Sequence, residues 1–324
     1  MNVLLSMPED GTSNNYIINA LHDLGHEVFF INHRINLKKA QELVPLFIEH
    51  NKIDLFLCLH LNPGSTYNSD YIKTIQARYP RIKYVAWFFD TIMEYKSPPE
   101  HKTFVDIIKS YDYFFTQVKG HVYEFRNRGV NAFFCPEGFD KYIPMYKDSV
   151  KKYDVSFVGQ IGSSILHQER EALLEKVISV FDNTIIYGAV YGEGKSEELI
   201  KHHAKQSTLN DVHLSRVISK SKINLGFMAW PDLENGWSAR LYRTMGLGGF
   251  FLTRNSKGLG DCFEIGKELD VYETDGECIE KIKYYLEHEE EREAIAKAGR
   301  ERILKDYLFT HSLKRMMRVI NAEQ

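Results

Sequence analysis

The feature that most limits what this chain can fold into is an alternation of apolar, strand-length runs with amphipathic helical patterns. It occurs twice in succession. In the first series Val3–Met7, Glu27–Ile31, Asp54–His60, Lys83–Phe89, Tyr113–Thr116 and Ala132–Cys135 read as strands. Between them Ser13–Leu24, Leu37–His50, Asp70–Tyr79, Lys102–Ser110 and Gly120–Arg128 read as helices. Strands apolar on both faces and separated by helices predict a parallel, doubly wound sheet. Gly25 and Gly129 each follow a helical pattern and precede a strand, where a left-handed residue ends a helix.

A turn-rich segment from Pro136 to Pro144 and a charged stretch, Lys147–Lys152, close this half. A second series then begins: strands at Val155–Val158, Thr184–Tyr187, Ile223–Phe227, Phe250–Thr253 and Asp270–Tyr272, and helices at His167–Val180, Leu209–Ser219 and Ser238–Gly246. Three helical patterns follow, Gly276–His288, Glu290–Tyr307 and Phe309–Ala322. The predicted organisation is therefore an α/β chain of two Rossmann-like domains, 1–146 and 147–308, with a final helix over 309–324. Ligands of such sheets bind outside the carboxyl ends of the strands.

Composition narrows the function. With 324 residues the chain is long enough for two ordinary domains, and 44% hydrophobic with 26% charged residues is a globular balance. A formal charge of -3 implies no general attraction to nucleic acid or anionic lipid. Cys58, Cys135, Cys262 and Cys278 lie far apart without a CxxC spacing, which predicts free thiols and a reducing, cytoplasmic setting. Neither a signal peptide nor an apolar stretch approaching the roughly 18–20 residues of a membrane span is expected.

The densest chemistry lies in Asn235-Gly236-Trp237-Ser238-Ala239-Arg240-Leu241-Tyr242-Arg243, followed by Gly248-Gly249 and an apolar run. A turn opening a short helix that carries two arginines suits a diphosphate, through backbone N–H groups and guanidiniums. Val158-Gly159-Gln160-Ile161-Gly162 is a second such place, a strand giving way to glycines and a helix that carries Arg170. At the end of the fourth strand, Trp87-Phe88-Phe89-Asp90 puts an acid in apolar surroundings that raise a carboxyl pKa, which suits a general base. His60 ends the preceding strand, and Asp10 and Gly11 lie in the loop after the first. The loop after the first strand has no GxGxxG, and the chain has no Asp-x-Asp, HExxH, Cys/His cluster or GxSxG. No metal and no cofactor is expected.

These segments resemble the group-1 glycosyltransferases, especially the CgeB-like branch, over most of residues 80–320. The Arg-x-aromatic pattern before Gly248-Gly249, the Trp-x-x-Asp ending at Asp90, the Pro136–Asp140 turn, Phe157-Val158-Gly159 and Tyr187-Gly188 carry the resemblance. It implies a GT-B architecture, two Rossmann-like domains facing a cleft, with the last helix crossing back to the first. It also implies a metal-independent transfer of a sugar from a nucleotide-diphosphate donor, UDP first and GDP next. Gly159, Gly162, Arg170, Arg240 and Arg243 would hold the donor's diphosphate, Tyr187, Gly188 and His213 would lie on its nucleotide side, Asn235, Trp237 and Ser238 would meet its sugar, and Gly11 and Gly236 would be further donor contacts. Asp90, or else Asp10 or His60, would deprotonate the acceptor, a hydroxyl of a protein, a glycan or a phage DNA base. The family's two donor-binding glutamates align with Asn235 and Arg243, a departure that alters donor binding or removes it. A nucleotide-sugar epimerase and a non-catalytic binding or morphogenetic protein on the same fold are the alternatives.

Overall fold

A computed structural model describes residues 1–8, 14–34, 36–61, 66–91, 98–147, 150–162, 165–188, 190–191, 202 and 209–322. The chain divides into two compact units, Met1–Asp140 with Phe309–Gln324, and Lys141–Leu308. The first division therefore falls ahead of the Lys141–Tyr146 segment that the sequence reading attached to the first domain.

Unit one is built on six parallel strands, β1 (Asn2–Met7), β2 (Glu27–Asn32), β3 (Leu55–Leu59), β4 (Lys83–Phe88), β5 (Tyr113–Thr116) and β6 (Ala132–Phe134), in the order β2-β1-β3-β4-β5-β6. Every residue of β3 is buried, as a strand covered on both faces requires. Helices α1 (Asn14–Asp23), α2 (Leu37–Asn51), α3 (Ser69–Arg78), α4 (Pro98–Lys109) and α5 (Lys119–Asn127) make the crossovers. Asn36 and Asn68 cap α2 and α3, each accepting from the backbone N–H three residues on. Gly25 and Gly129 take the positive φ expected of them, +76° and +79°. The strand order reverses between β1 and β3, and His60 directly follows β3 at that switch point.

Unit two carries a parallel five-stranded sheet of β7 (Tyr153–Val158), β9 (Thr184–Tyr187), β11 (Ser221–Gly226), β12 (Phe251–Arg254) and β13 (Asp270–Tyr272), ordered β13-β12-β11-β7-β9. Two strands of two residues, β8 (Ile161–Gly162) and β10 (Val190–Tyr191), pair beside it. The sequence reading has neither, because two residues carry no periodicity. The helices are α6 (Ile165–Val180), α7 (Asp211–Lys220), α8 (Arg240–Gly246), the single turn α9 (Leu259–Cys262), α10 (Asp275–Glu287) and α11 (Glu289–Asp306). In α11 Arg292, Ile295, Ala296, Gly299 and Ile303 form the buried face at helical spacing.

The last helix, α12 (Phe309–Ala322), packs within unit one. The Phe309 ring stacks on Tyr16 with centroids 6.0 Å apart, and its N–H donates to the carbonyl of Phe139. Among the described residues no helix is long and apolar enough to cross a membrane. Cys58, Cys135, Cys262 and Cys278 are free thiols.

Candidate functional site

The carboxyl ends of β7, β11 and β12 in unit two converge on three arginines and two phenylalanine rings. Phe157 is the penultimate residue of β7, and Phe227 follows β11 directly. Arg170, from α6, places its guanidinium 5.7 Å from the Phe157 ring and 5.6 Å from Phe227. Arg240 opens α8 with its guanidinium 4.9 Å over Phe157, and its Nε donates to the carbonyl of Val158. Arg254 ends β12, lies 5.4 Å from the Phe227 ring and pairs with Glu169 at 2.7 Å.

The electrostatics of this cluster are unbalanced. Arg170 is 8% exposed, and its Nη1 donates to the carbonyl of Gln160, while its buried Nε has no hydrogen-bond partner. Among the described residues no carboxylate forms an ion pair with Arg170 or Arg240. Burial and then the neighbouring Arg170 charge push Arg240 down to about 9, and burial likewise lowers Arg170. Beneath them Tyr272 is fully buried and donates to the carbonyl of Gly226 at 2.7 Å. Two desolvated guanidiniums side by side, neither ion-paired and with Glu171 acting on Arg170 only through its field, form a site for an anion at this carboxyl sheet edge.

The glycines of this edge have a reason of their own. A Cβ at Gly159 would enter the Arg240 guanidinium and touch the Phe157 ring. At Gly188, φ +142°, a Cβ would fall on the carbonyl of Gly159, whose N–H donates to Tyr187 at 2.8 Å. Both residues are thus required by the close packing of two loops and an arginine.

The turn before α8 is closely packed. Asn235 is 3% exposed and left-handed, φ +56°. Its N–H donates to the carbonyl of Lys257 at 3.0 Å and its Nδ2 to Cys262 Sγ at 3.5 Å. Trp237 is also 3% exposed; its indole N–H donates to Tyr242 at 2.8 Å, and its ring packs on Phe263. Asn235 Nδ2 and the Trp237 indole N–H thus help fix the turn in which the expected sugar contacts lie. Gly236 donates to the carbonyl of Leu233, and Ser238 is exposed at the mouth of α8. Arg243 lies one turn beyond Arg240, half-buried.

Tyr187 and His213 come together in a small pocket of about 130 Å³ between α7 and the β7–β9 side of the sheet, with Tyr153 and Arg216. Burial and the Tyr153 hydroxyl raise the Tyr187 phenol. Gly162 ends β8. Asp10 and Gly11 lie outside the described residues.

In unit one Asp90 follows β4 by two residues, exposed at a crowded rim. Burial by the surrounding protein raises its carboxyl above the ordinary carboxylate range, and the nearby His60 opposes this. His60 is left-handed, φ +52°, with its ring edge-on to Phe89 at 5.1 Å. Below this edge Ser6 Oγ lies 3.0 Å from His33 Nδ1 and 2.9 Å from the Tyr67 hydroxyl. Burial, with His60 and Arg34 adding to it, pushes His33 down to about 4. Thr91, beside Asp90, is 3.0 Å from Nε2 of the buried His121. Sequence reasoning passed over Arg254, Ser6, His33, Tyr67 and His121; the available signal was a polar residue inside an otherwise apolar run, as with Ser6 in Val3–Met7.

Solved structures share this whole arrangement of elements. Anabaena Alr3699/HepE in complex with UDP-glucose is 10% identical and superposes with a TM-score of 0.68, covering 99% of this chain and 100% of that one. HepE in complex with UDP gives 11% identity, a TM-score of 0.65 and coverage of 99% and 100%. Sucrose-phosphate synthase from Thermosynechococcus elongatus is 11% identical with a TM-score of 0.68 over 100% of both chains. The chain has the GT-B fold. Within it, residues 169–318 match the glycosyl transferase-like family, a stretch that holds Arg170, Arg240 and Arg254. No curated protein sequence matches the chain.

Proposed function

We propose that this GT-B chain is a nucleotide-sugar glycosyltransferase of the CgeB-like branch, with UDP as the first-choice carrier. The observation that carries this reading is the pairing of buried Arg170 with half-buried Arg240 over the Phe157 ring, neither of them ion-paired to a carboxylate, at the carboxyl edge of the unit two sheet. A diphosphate supplies the missing negative charge. Arg254 is a third cation at the same edge, released when a phosphate oxygen displaces Glu169.

As the bond between the sugar's anomeric carbon and the diphosphate breaks, the electron pair stays on the leaving phosphate oxygen. Guanidiniums already fixed against Phe157 and the Val158 carbonyl stabilise that charge without reorganising. This is the reason the reading is metal-independent. The acceptor hydroxyl forms the new bond to the anomeric carbon and gives its proton to a general base, for which Asp90 is the candidate. A carboxylate held above its usual pKa is a better proton acceptor near neutral pH than an ordinary one. The acceptor is a hydroxyl compound, with a protein or glycan preferred to a DNA base. The Tyr187–His213 pocket is the candidate nucleoside contact.

The test is a calorimetric and thermal-shift titration with UDP, GDP and dTDP in EDTA, followed by UDP release from UDP-glucose. At about 100 times its dissociation constant a nucleotide adds about 2.7 kcal/mol of stability. A shift with one nucleotide, lost in Arg240→Ala, supports the reading. A folded protein that binds none of them overturns it, and binding without any sugar release leaves a binding protein instead of a transferase.

A further inference from the structure

We propose that unit two carries a second ligand site, for a small organic anion with an apolar body, at the amino edge of its sheet. The site is a cavity of about 570 Å³, within the range of roughly 300–1,000 Å³ typical of small-molecule pockets. Lys151 lies just before β7, Ser219 precedes β11 and Leu247–Gly248 precede β12, and all of them line it. These are the amino ends of parallel strands, whereas Arg170, Arg240 and Arg254 stand at the carboxyl ends. The cavity and the arginine cradle are therefore on opposite edges of one sheet.

Met145, Leu247 and Leu304 give the cavity an apolar wall, and Lys147, Lys151, Lys297 and Arg300 give it cations. Arg300 is the anchor. It is half-buried, and its Nη1 donates to the carbonyl of Gly246, the last residue of α8. Burial alone lowers its pKa, and among the described residues no carboxylate forms an ion pair with it. A guanidinium has five N–H donors, so the contact with Gly246 leaves most of the fork for another acceptor. Of the two acids at the cavity, Glu293 is already shared by Lys151 at 3.9 Å and by the buried Arg292 at 3.6 Å. Glu301 stands exposed at the rim. The balance is an uncompensated cation beside an apolar wall. Such a wall selects an aryl or alkyl body, and the guanidinium selects its phosphate or carboxylate.

The experiment is a calorimetric titration of the full chain with 2-naphthyl phosphate, repeated with the neutral 2-naphthol. The expected result is a sub-millimolar dissociation constant for the phosphate, with 2-naphthol at least tenfold weaker. Arg300→Met and, separately, the exposed Lys297→Glu should each weaken the phosphate at least tenfold. Arg240→Ala and saturating UDP should leave it unchanged, so the site stands or falls apart from the donor reading. No binding, equal binding of 2-naphthol, or binding indifferent to both pocket variants overturns the proposal. So does competition by UDP or loss in Arg240→Ala, which would put the anion in the cradle. Far-UV circular dichroism checks the fold of Arg300→Met; if that variant is unfolded, Lys297→Glu decides.

Discussion

Arg240→Met separates an anion site from a structural arginine, because the two roles predict opposite signs for stability. The charge on Arg240 is held at about 9 by burial and by Arg170. Its proton affinity is thus lowered by more than three powers of ten, and at about 1.4 kcal/mol for each, the charged form is disfavoured by about 5 kcal/mol. The sign follows from linkage. A base whose pKa is lower in the folded chain destabilises the fold at neutral pH, and the penalty fades as pH rises through 9 and beyond. Removing the charge recovers this energy. It also removes the bond to the Val158 carbonyl, about 1.5–3 kcal/mol for a charged donor, and the Phe157 contact, about 1 kcal/mol. The net expectation is a gain of about 1–2 kcal/mol, with unit two melting about 2–8 °C higher in calorimetry. The same variant should bind UDP about 30- to 150-fold more weakly, from the loss of one charged donor group worth about 2–3 kcal/mol. An Arg240→Met protein that melts lower and binds UDP as tightly as before refutes the reasoning, since the arginine would then be a packing element.

Asp90→Asn should leave the UDP dissociation constant unchanged and slow UDP release from UDP-glucose by about 100- to 10,000-fold; in the parent chain that rate should fall with acid at a pH above the ordinary carboxylate range, because burial raises the Asp90 carboxyl and only its ionised form accepts a proton. Gly188→Ala should destabilise unit two by about 3 kcal/mol in urea unfolding, since it drives a Cβ onto the Gly159 carbonyl at a φ that suits glycine. His33 binds its proton more weakly in the fold than unfolded, so the stability of unit one should be full above about 6.5 and fall by about 3 kcal/mol as pH drops through 4, which a pH series of thermal midpoints measures. Asn235→Glu, which puts an acid where the resemblance implies one, should lower the melting temperature and bring no gain in turnover, because residue 235 is buried and left-handed beside Gly258.

The two sheets were legible because their strands are buried on both faces, so that Leu55–Leu59 or Phe251–Thr253 reads as an unbroken apolar run. Helix ends were legible wherever a chemical signal marked them, as at Gly25 and Gly129. The arginines of the site were half legible. Arg170 and Arg240 stood out beside glycines, whereas Arg254 sits at the end of an apolar strand and is singled out only when the parallel register sets β12 beside β11. The packing of the Asn235–Trp237 turn was not legible, for a related reason. A polar or aromatic residue next to a glycine reads as ligand-facing, and only tertiary packing shows Trp237 closed in by Tyr242 and Phe263. The Ser6–His33–Tyr67 chain joins residues from three separate segments, and no local pattern reports it.

That Asn235 and Arg243 stand where the resemblance to group-1 glycosyltransferases implies glutamates is best understood together with the cradle. A glutamate near a buried arginine pair would neutralise it in the empty protein, and a diphosphate would then have to displace that acid. Here position 235 holds a neutral amide whose Nδ2 donates to Cys262 Sγ, so it adds no charge. The pair Arg170–Arg240 has no ion-paired acid, with Glu171 acting on Arg170 only through its field, and its desolvation is a cost to the empty fold that an anion can relieve. Glu169 on Arg254 is the acid at this edge, and it is 70% exposed, so it can swing into water when a phosphate arrives. The chain thus keeps its cation pair free of an ion-paired acid and leaves the exchangeable acid on the third arginine, an arrangement that favours binding of the charged half of the donor over specific recognition of its sugar.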